Sequence, residues 1–168
     1  MNLSTYLSKK TKTELIREIL TLAHTFPAIR DYYVGVSGKS DEVLARFKKK
    51  IRDEFFPARG EGDARAGVVR SAISDFKKVS KSKRDLAKLL LFHVEQGVKY
   101  TNEYGDIDEN FYSTLESSFE AATKLMSKEK LLPEFQKRCS RIVKNTEDIG
   151  WGFHDFLAGV YYSTYGED

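Results

Sequence analysis

The chain has 168 residues, 40% hydrophobic and 32% charged, with 28 Lys or Arg against 25 Asp or Glu. A chain of this length suits one domain and buries roughly 70% of its unfolded surface, so neither a disulfide nor a structural metal is required. The lone Cys139 excludes an internal disulfide, no apolar run approaches the roughly 18 residues of a membrane span, and MNLSTYLSKKTKTE lacks the apolar core of a secretory signal.

A cytoplasmic protein that does not enter a membrane is the expectation. The charge is uneven along the chain. Residues 1–91 carry a net +9 and residues 92–168 a net −6. Between Lys39 and Arg84 there are 14 basic and 7 acidic residues. Such asymmetry marks either a polyanion surface or two halves whose faces meet on folding.

In chain order, the first ten residues can add one helical turn. Thr11-x-x-Glu14 is a capping box ahead of an apolar run through Leu15, Ile16, Ile19, Leu20, Leu22 and Ala23. That helix should stop near Thr25, because Pro27 disfavours helix at Phe26. Pro27 opens a short piece through Ile29, Tyr32 and Tyr33, which Gly35 and Gly38 should end. Ser40 is placed to cap the next helix, whose stripe is Val43, Leu44, Phe47, Ile51 and Phe55. Residues 57–67, PARGEGDARAG, hold no large apolar side chain and read as a loop. A helix resumes near Ala66 with Val69, Ile73, Phe76 and Val79 spaced for burial.

Ser82-x-x-Asp85 then opens the segment around which the rest is arranged, residues 83–104. Leu86, Leu90, His93, Gly97, Tyr100 and Tyr104 share one face, and Leu89, Leu91, Phe92, Val94 and Val98 cover most of the others. A helix apolar nearly all round is buried on several sides. Gly105 ends it. Asp106 or Asp108 caps a further helix through Phe111, Tyr112, Leu115, Phe119, Ala122, Leu125 and Met126, and the short connection predicts an antiparallel pair. Pro133 opens a helix with Phe135, Cys139, Ile142 and Val143 inward, and an aromatic helix is predicted from Gly150 to Gly166. No segment alternates with a period of two. The predicted fold is all-α: a compact array of about seven or eight helices around the central helix, with residues 1–168 as a single domain.

Three stretches, EFFPARG at 54–60, LFHVEQGVKYTNEYGDIDENFYSTLE at 91–116 and IGWGFHD at 149–155, together resemble a bacterial family classed only as domains of unknown function. The resemblance runs from about Leu44 to Tyr162. It implies an all-helical fold and a bacterial cytoplasmic source. It implies no activity and carries over no catalytic residue.

The candidate sites are therefore read from residue types. Glu103, Asp106, Asp108 and Glu109 crowd one turn, but they do not follow the EF-hand order and serve equally as helix-turn chemistry. Trp151, His154 and Asp155, flanked by Gly150 and Gly152, suit either an aromatic pocket or an aromatic core. With His93, Glu103 and Asp106, they form the first binding set. Arg59, Arg65 and Arg70 bracket the loop and Lys49 leads into it, which suits phosphate contacts and, as an alternative function, nucleic acid. His24, His93 and His154 lie on three different helices. No two sit three or four residues apart, so no metal site is assigned, and a small metal-dependent hydrolase using His93, His154, Glu103 and Asp155 is a third reading. Cys139 on an apolar stripe reads as inert packing. Phosphate-loop and nucleophile-elbow motifs are absent, and no cofactor is expected. The leading expectation is a non-enzymatic helical module that binds a protein partner or itself.

Overall fold

The computed structural model describes residues 2–37 and 40–166. Among these every regular element is an α-helix and there is no strand. The helices are α1 (Leu3–Ser8), α2 (Lys12–Thr25), α3 (Pro27–Val36), α4 (Ser40–Phe55), α5 (Ala66–Val79), α6 (Lys83–Tyr104), α7 (Glu109–Lys128), α8 (Leu132–Lys144) and α9 (Phe153–Tyr165).

Side chains at the helix ends explain most of these boundaries. Thr11 and Glu14 form a reciprocal capping box on α2. Ser82 accepts from the Asp85 amide at the start of α6, and Asp108 accepts from the Phe111 amide at the start of α7. Gly105 ends α6 at φ +91°, a conformation open to glycine and strained for other residues.

Three expectations change. Gly35 does not end α3 but lies inside it, where an added Cβ would meet the Val79 carbonyl oxygen at 3.0 Å. Gly35 lets α3 approach the end of α5, and Gly38 lies outside the described residues. Ser40 is the first described residue of α4 rather than the residue before it, and position 39 also lies outside the described residues. The last helix starts at Phe153, not Gly150, because Trp151 (φ +61°) and Gly152 (φ +70°) are left-handed and interrupt any helix through them.

One hydrophobic core runs from Val43 to Tyr161, with α6 at its centre. Leu89, Leu91 and Val94 of α6 are wholly buried, as the all-round apolar pattern requires. Tyr104, at the end of the predicted face, is instead 42% exposed. Phe55 of α4 packs against His93 and Tyr100, and Arg138 of α8 grips both carboxylate oxygens of Glu95 at 2.7 Å. The α6–α7 pair is antiparallel: His93 meets Ser118, Gly97 faces Leu115, Tyr100 meets Phe111 and Thr101 meets Tyr112. No residue of α2 is buried, and α3 separates α2 from the core. No described helix is long and apolar enough to cross a membrane.

Candidate functional site

Gly97 sets how closely α6 and α7 approach. A Cβ there would lie 2.4 Å from Leu115 Cδ1, so only glycine leaves room for the leucine. One turn earlier on α6, His93 reaches α7, and its Nδ1 lies 2.8 Å from Ser118 Oγ. Both side chains are buried. Burial disfavours the imidazolium and lowers the His93 pKa to about 4, so the ring is neutral at physiological pH.

This pair closes the floor of a cleft between α5, α6 and α7, about 430 Å³ in volume. That is large enough for a small metabolite. Arg70, Ser74 and Lys77 form one wall, at the four- and three-residue intervals that share a helix face. Asn110, Ser113, Thr114, Ser117 and Ser118 form the other, in the same periodicity on α7. Ile73, Leu90 and His93 lie between.

The hydroxyls differ in what they offer. Thr114 donates to the Phe111 carbonyl and Ser117 to the Ser113 carbonyl, both at 2.8 Å, so each presents an acceptor oxygen to the cleft. Ser74 and Ser113 have no side-chain hydrogen bond among the described residues and can donate or accept. Arg70 and Lys77 are exposed and have no ion-pair partner among the described residues. Neighbouring cations are engaged: Lys49 with Asp53, Lys78 with Asp75, Arg84 with Glu134.

The sequence candidates scatter. Arg70 and His93, assigned to different sites in the sequence, line the same cleft. Arg65 does not face it: its guanidinium forks onto Glu54 at 2.7 and 3.2 Å, and its amide donates to Glu54 at 3.0 Å. The hydrogen bonds from Arg65 hold the Glu54 carboxyl below the usual range. Arg59 and Lys49 lie on the surface.

Asp106 accepts from Tyr112 Oη at 2.9 Å and approaches Gly150, which brings it beside Trp151. Trp151 is 60% exposed, and His154 Nδ1 pairs with Thr146 Oγ1 at 2.9 Å. Asp155 and Glu103 are exposed. The histidines occupy separate places: His24 is exposed on α2, His93 is buried against Ser118, and His154 is tied to Thr146. Among the described residues, no group of three His, Cys, Asp or Glu side chains is placed to hold a metal. Cys139 is buried, and burial raises its pKa to about 11.

Fold and site define an all-α protein with a hydroxyl-lined cleft beside its central helix pair. A family model described as a family of unknown function, DUF6155, matches residues 1–161, and the chain belongs to that family. The match takes in α1–α3, which precede the motif resemblance at Leu44. No curated protein and no solved structure matches the chain.

Proposed function

We propose that the chain is a non-catalytic binding module whose cleft takes a small phosphate-bearing polyol. The observation that carries this reading is the pairing of two uncompensated cations, Arg70 and Lys77, with the hydroxyl wall of α7. The cations sit seven residues apart on α5, about 10 Å along its axis, and supply charge-assisted hydrogen bonds to an anionic group. Acceptor oxygens from Thr114 and Ser117 suit the hydroxyl donors of a polyol.

A neutral His93 with a pKa near 4 is a weak base at physiological pH. With Nδ1 engaged by Ser118, it positions the cleft floor rather than moving protons. The ion pairs of Lys49, Arg65, Lys78 and Arg84 break up the basic stretch as a continuous polyanion track, which favours a small ligand over nucleic acid.

Isothermal titration with ribose 5-phosphate, inorganic phosphate and glycerol tests the proposal. Ribose 5-phosphate should bind most tightly and glycerol not measurably. The Arg70→Ala, Lys77→Ala double variant should lose binding while keeping the wild-type melting temperature. Equal affinity in the double variant would overturn the assignment.

A further inference from the structure

The same molecule carries two apolar surfaces with no intramolecular cover. The first is the arm made by α1 and α2. Leu20 is 65% exposed, and Ile16, one turn before it, is exposed on the same side. The second lies at the opposite end of the chain. Trp151 is held in a left-handed backbone between two glycines and projects into solvent, and Phe156 and Tyr162 of the adjoining α9 are exposed too. A left-handed non-glycine residue stores about 1 kcal/mol or more of strain, and such strain persists where the conformation has a use. Here it keeps an indole, the side chain most enriched in binding hot spots, outside the core.

The two surfaces are complementary in charge. The arm bears Lys9, Lys12 and Arg17, exposed and without an ion-pair partner among the described residues. Asp106 lies against Gly150, Asp148 and Asp155 flank Trp151 in sequence, and residues 145–166 hold no Lys or Arg. The areas also agree. Eight exposed large apolar side chains belong to these two surfaces, five on the arm and three at the Trp151 end. At roughly 100 Å² each they total on the order of 800 Å², comparable to the roughly 800 Å² that each partner buries in a stable interface.

We infer that the chain pairs with a second copy of itself, the α1–α2 arm of each copy seated on the Trp151 face of the other. A twofold axis makes two equivalent contact zones and closes the assembly. The cleft plays no part in this pairing, which stands or falls independently of the ligand.

Sedimentation equilibrium of the full chain tests it. Wild type should be a dimer at micromolar concentration. Ile16→Asp with Leu20→Asp should give a monomer of unchanged helical content, since no residue of α2 is buried. Trp151→Ala should also give a monomer. Mixing the two variants should restore a weakened dimer, because the hybrid keeps one intact zone. A monomeric wild type, a Trp151→Ala variant that still dimerises fully, or a mixture that stays monomeric would each overturn the inference.

Discussion

His93 Nδ1 and Ser118 Oγ share a buried hydrogen bond of 2.8 Å that joins the two central antiparallel helices at the floor of the cleft. Removing one partner strands the other away from water, which costs about 1–3 kcal/mol. Ser118→Ala should lower the unfolding free energy by that amount in urea denaturation. A change below about 0.5 kcal/mol, typical of a surface substitution, would contradict the pairing.

The same histidine sets a pH dependence. Its folded pKa is lowered to about 4 from an ordinary 6.5, so the unfolded chain binds the proton more readily between those values. Stability is therefore complete above about pH 6.5 and falls as pH drops toward 4, by up to about 3 kcal/mol. His93→Gln should flatten that window in denaturation curves taken from pH 7 to 4. Carboxylates such as Glu54, whose pKa is lowered from the ordinary 4.5, add their own loss of stability only at the acid end of that window and below it.

Gly97 faces Leu115 with no room for a methyl group. Gly97→Ala should cost about 1–3 kcal/mol through overpacking. Leu115→Ala in the same chain should recover part of that loss, so the two changes would be strongly non-additive in a double-mutant cycle. Simple additivity would show that the helices can part without Leu115.

Arg65 and Glu54 close the loop at residues 56–65, and Ala64 adds a backbone bond to the Glu54 carbonyl at 3.1 Å. Gly62 packs so tightly on Phe55 that a Cβ would lie 2.2 Å from its carbonyl oxygen. Arg65→Ala should speed proteolytic cleavage of this loop while leaving the helices folded. Gly62→Ala should lower the melting temperature as well. An unchanged cleavage rate in Arg65→Ala would argue against the clasp.

Much of the fold is legible in the residues. Ser82 and Gly105 bracket α6 at 83–104 as predicted, and the stripes of α4 and α5 are buried from Val43 to Phe55 and from Val69 to Val79. The left-handed Trp151 is not legible, because a tryptophan inside an aromatic run has every local reason to continue a helix. The cleft is only half legible. Arg70 and His93 stand out by residue type, but they belong to helices that meet only through tertiary packing. Ser113, Thr114 and Ser117 read as an ordinary solvated face of α7. The available signal was four hydroxyl residues within six positions of α7, 113–118, where a plain solvent face usually carries Lys and Glu. Arg65 looks free in sequence because its partner lies eleven residues away, across the loop.

The most direct test of the ligand assignment is a nuclear magnetic resonance titration of isotope-labelled histidine with ribose 5-phosphate. The account predicts that the His93 ring signals shift saturably while those of His24 and His154 stay in place, and that Arg70→Ala with Lys77→Ala abolishes the shift. Saturable shifts at His154 with none at His93, or no shift at any histidine, would contradict it.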